Sequence, residues 1–185
     1  MAHSAIADQV NEMHDPHTFI TKYVWSQDHK VIAIQYGTTA ILVGLVALVL
    51  SGMMRLQLGF PGTFDFIDPS GYLQFVTMHG MIIVIYLLTA LLLGGFGNYL
   101  IPLMIGARDM VFPYLNMLSY WTYLLAVMVL MASFFVPGGA TGAGWTLYPP
   151  QAILQGTPGY DWGIILMLAS LAIFIVAFTM GGLNY

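Results

Sequence analysis

The sequence has no cysteine and very little charge: 6% of its 185 residues are Asp, Glu, Lys or Arg, against 59% that are hydrophobic. Without cysteine, the chain holds no disulfide, iron–sulfur cluster or thiolate metal site of its own. Four basic residues give no electrostatic basis for nucleic-acid binding. A formal charge of −4 is too small to specify a charged partner. A soluble domain carries about 25% charged residues, so this composition, with a mean hydropathy of +0.82, points to an integral membrane protein. Residues 1–30 are polar and contain no apolar run of the kind a cleavable signal peptide needs. His3, His14, His17 and His29 fall in that segment at spacings that match no metal template, so the segment reads as a solvated cytoplasmic tail.

What the sequence does have is four long apolar runs. They predict transmembrane helices at about 31–54, 72–104, 115–136 and 162–183. Gly- and Pro-rich loops at about 56–70 and 137–160 and a short polar turn at 105–113 separate them. No repeat or linker divides the chain, so 1–185 reads as one all-α membrane bundle. Gly37, Thr38, Thr39, Gly44 and Gly52 give the first span a small-residue surface on which another helix can approach closely. Thirteen methionines and 14% aromatics suit packing against a large flat ligand or against lipid. Lys22, Lys30 and Arg108 fall on one side of the spans and Arg55 alone on the other, which places the N-terminus in the cytoplasm and both long loops outside.

The second span carries the polarity. No charged residue lies between His79 and Met104, and the thirty positions from His79 to Asp109 cover about 45 Å if helical. His79 then lies about 10 Å below the outer surface and Asp109 at the inner one. Ionisable groups inside a membrane are costly, so His79 is a functional candidate. Three roles are open to it: an axial haem ligand, a proton relay, or a structural histidine bonded to a neighbouring helix. Arg55 can snorkel to headgroups or donate its planar fork to a buried cofactor. At the inner end Asn98, Asp109 and Asn116 are brought together by a helix–turn–helix. Asp109 is either a loop carboxylate paired with Arg108 or capping a helix, or a proton collector, with the asparagine amides lining a water channel. Trp25, Trp145 and Trp162 are candidates for interfacial anchors, while Trp121 is placed to pack on a helix or ring.

Four segments in order carry a resemblance: WSQDHKVIAIQY (25–36), TMHG around His79, GFGNYLIPLMIGARDMVFPYLN (95–116) and GAGWTLYPP (142–150). Together they resemble subunit I of the haem–copper oxidases, of the cytochrome c oxidase type, over about residues 25–185. The resemblance implies that these are four helices of a bundle of about twelve. It implies that His79 is an axial iron ligand of the low-spin haem A, that Arg55 meets its formyl group, and that Tyr72 lies near its propionates. Trp145 would lie near the propionates of the active-site haem. Asp109 would be the mouth of the D proton channel, with Asn98 and Asn116 as channel amides. The high-spin haem and copper B, with their ligands, would come from the remainder of subunit I. The chain is then a split-gene product or an incomplete segment working beside that remainder.

The implied partners are oxidase subunits II and III, cytochrome c as electron donor, and lipid. The implied location is a prokaryotic plasma membrane, and the implied reaction is proton-pumping reduction of oxygen. A quinol oxidase of the same superfamily is the alternative. Of the positions matching its quinol pocket, Val46, Leu50, Gly71 and Gln74, only Gln74 is retained. Nitric oxide reductases lack the Asp109 channel motif. From a different class, a membrane scaffold or proton-coupled transporter module would leave His79, Arg55 and Asp109 without a joint use or show midplane charges and repeats. The chain departs from the family at Tyr114, often arginine, at Arg108, often proline, and at Gln57, where some members carry an acidic cation ligand. Arg108 beside Asp109 is expected to favour the charged carboxylate.

Overall fold

The computed structural model describes residues 19–63 and 67–185. Four helices run through it: α1, His29–Gly59; α2, Pro69–Ile105; α3, Pro113–Phe135; and α4, Trp162–Gly182. Each is long and apolar enough to cross a bilayer, and no strand occurs among the described residues. α2 and α3 both pack on α1, and α4 packs on α3. His3, His14 and His17 lie outside the described residues.

Local chemistry sets the helix ends. The Asp28 carboxylate accepts the Lys30 N–H at 2.8 Å and starts α1. The helix runs past the expected end near Met54 because Leu56, Gln57 and Leu58 continue it, and Phe60-Pro61 follows its last residue. Arg55 is therefore inside α1 rather than after it. Asp68 caps α2, with Pro69 in the first turn, where its missing N–H costs nothing. Hydrogen bonds from the Ser70 hydroxyl and the Gly71 N–H hold the Asp68 carboxyl below the usual carboxylate range.

α2 is not uniform. It is α-helical to Met81, winds more widely over Ile82–Gly97 with π-type bonds, and returns to α over Asn98–Ile105. A regular helix is the plain expectation from the sequence. Near the inner end of this segment the Tyr36 ring of α1 packs against Gly94. A Cβ built on Gly94 would clash with that ring at its Cδ1, so only glycine admits this close approach. Gly106 ends the helix in the left-handed conformation, φ 71°.

The bundle interior is aromatic. Tyr36 stacks on Tyr123 at 5.2 Å between ring centroids, and Phe174 stacks on Phe178 at 4.4 Å. The mid-bundle hydroxyls are satisfied in turn. Tyr123 donates to the Tyr86 carbonyl at 2.9 Å, Tyr86 pairs with Ser170, and Ser170 donates to the Ala126 carbonyl at 2.6 Å.

The α1–α2 seam is antiparallel and can be followed contact by contact. His79 meets the Ala47 carbonyl. Leu87 lies 3.1 Å from the Cβ position of Gly44, and Leu91 lies 3.8 Å from that of Gly37. The Cβ position of Gly95 meets the Ala33 carbonyl at 3.7 Å and the Gly37 Cα at 3.8 Å. At the inner end His29 Nδ1 lies 2.9 Å from the Asn98 carbonyl. This last contact corrects the reading of His29 as part of a solvated tail. His29 is buried and opens α1, because the carbonyl of Asn98 draws its ring into the seam.

Candidate functional site: the two ends of one helix

At the outer end, His79 donates from Nδ1 to the Ala47 carbonyl at 2.9 Å, since a carbonyl oxygen only accepts. This fixes the tautomer and leaves the Nε2 lone pair for another partner. The ring is half-buried. Arg55 stands eight residues beyond Ala47, about 12 Å further out along α1. It is therefore not level with His79. Side chains lean towards the N-terminus of their own helix, so the Arg55 stem leans back inward. Among the described residues Arg55 has no hydrogen-bond or ion-pair partner. Tyr72, two turns outward of His79, lines a rim pocket of about 480 Å³ with Gln57, Leu58, Pro61, Pro69 and Leu73.

The loop carrying Trp145 is tied to this same stretch of α2. The Gln74 amide donates to the Gly138 carbonyl at 2.6 Å, and the Gly144 N–H donates to the Thr77 hydroxyl at 3.0 Å. These bonds lay the Trp145 indole on α2 beside His79, with its Cδ1 at 3.3 Å from the Cβ position of Gly80. A side chain longer than alanine at position 80 would push the indole away. The structure thus brings His79 and Trp145 onto one outer stretch of α2, with Tyr72 on the same helix and Arg55 at the outer end of α1. Gln74, the one retained quinol-pocket position, serves here as a strut for the loop.

The inner end is built differently. Asp109 is exposed on the turn between α2 and α3 and accepts its neighbour's N–H, that of Met110, at 2.8 Å. It makes no ion pair with Arg108, although the two are adjacent; the carboxylate is turned to the backbone instead. Asn98 and Asn116 are both buried. Asn98 donates to the Gly94 carbonyl at 2.7 Å and to the Tyr185 hydroxyl at 3.4 Å, while its Oδ1 has no protein partner. Both ends of the Asn116 amide lack a protein partner. A cavity of about 110 Å³ lies beside Asn98, lined by Tyr36, Gly94, Phe178 and Tyr185 among others. No hydrogen bond joins Asp109 to either asparagine.

Several residues that shape these ends are not among those the sequence singles out. Ala47 contributes only a carbonyl, which any residue has. Ser119 joins the Tyr36 hydroxyl, at 3.0 Å, to the Asn116 carbonyl, at 2.6 Å. Asn184 is buried and accepts the Phe112 N–H at 2.8 Å, which ties the end of α4 to the turn carrying Asp109. A polar residue ending an apolar span is the signal that could have marked Asn184. Trp121, placed by sequence against a helix or ring, stacks on Trp25 at 4.7 Å.

Comparison with known proteins gives the family. The family model described as "Cytochrome C and Quinol oxidase polypeptide I" matches residues 31–185. An alternative cytochrome c oxidase subunit 1 of Bradyrhizobium diazoefficiens is 77% identical over 174 residues, covering 94% of this chain and 29% of its own length. A heme-copper oxidase subunit I+III of Aeropyrum pernix is 41% identical over 169 residues, 90% of this chain and 20% of its own. A cytochrome c oxidase subunit 1 of Synechocystis is 37% identical over 179 residues, 97% of this chain and 31% of its own. The chain therefore spans less than a third of each of these relatives. With four apolar helices and a family match that covers most of its length, the chain belongs to the cytochrome c and quinol oxidase polypeptide I family of integral membrane proteins.

Proposed function

We propose that the chain is the N-terminal, low-spin-haem and proton-entry part of the catalytic subunit of a terminal respiratory oxidase. The observation that carries this reading is the Ala47–His79 bond. It presents a neutral imidazole with Nε2 free, which is the donor an axial haem site needs. The surroundings fit a haem: Arg55, without a partner among the described residues, stands further out on α1 and the Trp145 indole lies alongside. His79 would hold the iron of haem A, Arg55 would meet the formyl group, and Tyr72 would lie near the propionates. A bound haem supplies one-electron redox chemistry. The chain's own part is to keep the His79 ring oriented and, through the loop, to keep water away from one side.

At the other end, Asp109 collects protons from the cytoplasm, and Asn98 and Asn116 line their way inward. The support is chemical. Buried amide atoms without a protein partner are costly unless water satisfies them, and about 110 Å³ beside Asn98 has room for about three waters. Electrons from cytochrome c, proton pumping and oxygen reduction belong to the assembled enzyme. In it the rest of subunit I supplies the high-spin haem and copper B, and subunits II and III assemble around it in a prokaryotic plasma membrane with the N-terminus of this chain inside. Cytochrome c is favoured over quinol as donor, because Gln74 is engaged with Gly138 and Val46, Leu50 and Gly71 offer no polar side chain.

The test is a reduced-minus-oxidised spectrum with pyridine haemochrome analysis of the purified complex, wild type against His79→Ala. The low-spin haem A signal is expected to disappear in a variant that still assembles. A wild-type complex without haem, or a variant that keeps its low-spin signal, would sink the reading.

A further inference from the structure

At the inner end the chain enters α1 past a recess that neither station described above uses. Its volume is about 600 Å³, and Lys22, Trp25, Ser26, Gln27, Asp28 and Val31 line it. Three contacts hold its wall in place. The Gln35 amide donates to the Tyr23 carbonyl at 2.7 Å and to the Val24 carbonyl at 3.1 Å, and Trp25 stacks on Trp121 of α3 at 4.7 Å. Two cross-contacts give its depth. His29 meets the Asn98 carbonyl, seven residues before α2 ends at Ile105, and Trp121 stands eight residues beyond the first residue of α3. The stretch 25–29 therefore lies about 10–12 Å inside the inner tips of α2 and α3. α2 has 37 residues, up to about 55 Å of helix, so a hydrocarbon core of about 30 Å centred on it ends about 12 Å from each tip. The recess thus lies where hydrocarbon gives way to headgroups, and the segment leading into it exposes Phe19, Ile20, Tyr23 and Trp25.

We infer that this recess holds the headgroup of one phospholipid that carries both a phosphate and a primary amine, as phosphatidylethanolamine does. The charges decide the class. Lys22 supplies a cation and makes no ion pair among the described residues; its ammonium lies 5.6 Å from the Tyr23 ring centroid. Asp28 supplies a carboxylate. Its Oδ1 accepts the Lys30 N–H at 2.8 Å, and its other oxygen has no partner among the described residues. A phosphate pairs with the Lys22 ammonium while a primary ammonium donates to Asp28. A headgroup with negative charge alone would meet the Asp28 carboxylate as a like charge. A quaternary ammonium has no N–H to donate to it. Size agrees, since at about 30 Å³ per water-sized unit the recess takes on the order of twenty non-hydrogen atoms. That is a headgroup, its glycerol and the start of the acyl chains. Val31 and the Trp25 ring supply apolar surface for those chains. Near the low-dielectric boundary both charge pairs are screened less than in open water. Such a site depends on α1–α4 crossing the membrane and not on the haem.

The experiment traps the contact chemically. The whole oxidase complex is reconstituted in nanodiscs of equal parts dioleoyl phosphatidylethanolamine, phosphatidylglycerol and phosphatidylcholine. A water-soluble carbodiimide joins a carboxylate to an amine in contact with it, and peptide mass spectrometry locates the lipid amides. Asp28 is expected to carry the phosphatidylethanolamine amide at least ten times more often than Asp109, an exposed carboxylate at the same end of the bundle. Lys22→Glu should lower the Asp28 adduct at least tenfold by repelling the phosphate. Lys22→Gln should lower it several-fold and serves if Lys22→Glu does not assemble. A fourfold excess of phosphatidylglycerol should leave the adduct within twofold. Labelling of Asp28 no higher than that of Asp109 overturns the inference and makes the recess a solvated wall. Labelling indifferent to Lys22 overturns it as well. Loss of the adduct to phosphatidylglycerol overturns it in favour of a purely anionic lipid.

Discussion

The outer and inner ends of the bundle treat buried polar groups in opposite ways. At the outer end, Arg55 apart, the polar side chains around His79 have protein partners. His79 is bonded to Ala47, Gln74 to Gly138 and Thr77 to Gly144. Among the described residues, Gln57 Oε1, in the rim pocket, is the one atom buried there without one. At the inner end Asn98 Oδ1, both ends of the Asn116 amide, Gln35 Oε1 and Trp121 Nε1 are all buried and unpartnered among the described residues. A bonded set holds its members in one geometry, as a ligand mount requires. An unpartnered set invites water and keeps its amides available to it. The bundle thus has a bonded polar cluster at one end and an unpartnered one at the other, with an aromatic core between them.

The comparison is tested most strongly at the inner carboxylate. Asp109→Asn is expected to slow proton uptake by about a hundredfold, the low end of what a positioned proton-transfer group contributes, and to uncouple pumping. The haem spectrum should stay the same, because Asp109 has no bond to the outer station. Flow-flash proton uptake, read alongside the reduced-minus-oxidised spectrum, checks both halves. Normal uptake would remove Asp109 from the route, and a shifted spectrum would mean that the two ends are not independent.

Asn116→Leu sharpens the contrast. Replacing an unsatisfied buried amide by an apolar group of similar size leaves no partner stranded, so stability should change by less than about 1 kcal/mol or rise. Proton uptake should fall, since the amide that water uses is gone. Thermal denaturation of the assembled complex and the same uptake assay read the two effects. A large loss of stability would show that Asn116 has a partner in the full enzyme and that the inner end is not a solvated station.

How much of this could be read from the sequence varies by residue. The four apolar runs announce the helices, because a bilayer demands about twenty apolar residues each time. His79 and Asp109 stand out because an ionisable group in or beside so apolar a run needs a reason. Their functional roles came from the family resemblance and remain proposals. Other features were out of reach. The partner that orients His79 is a main-chain carbonyl, and Ala47 looks like any lipid-facing alanine. His29 was read with the polar tail, since nothing in WSQDHK says that its ring turns inward to Asn98. The wide winding of Ile82–Gly97 leaves no mark in so uniformly apolar a run, and the Tyr36–Gly94 approach joins residues fifty-eight positions apart in the chain and is visible only once the helices pack.

The smallest effect belongs to the outer station, where a bond is removed rather than a solvated amide. Thr77→Val keeps the shape of the side chain and deletes the hydroxyl that accepts the Gly144 N–H. Thr77 is buried, so the amide left behind loses a partner that water cannot easily replace. The cost should be about 1 kcal/mol, felt in the loop 137–160 rather than in the bundle, because Gln74 still holds Gly138. Hydrogen exchange at Gly144 and proteolysis of the loop should both increase several-fold, while proton uptake is unchanged. The variant thus runs opposite to Asn116→Leu: local order is lost at the outer end with transport intact, where the inner variant loses transport with order intact. If both variants moved both readouts, the separation of the two ends would not survive. The aromatic core between them would then have to transmit strain from one to the other.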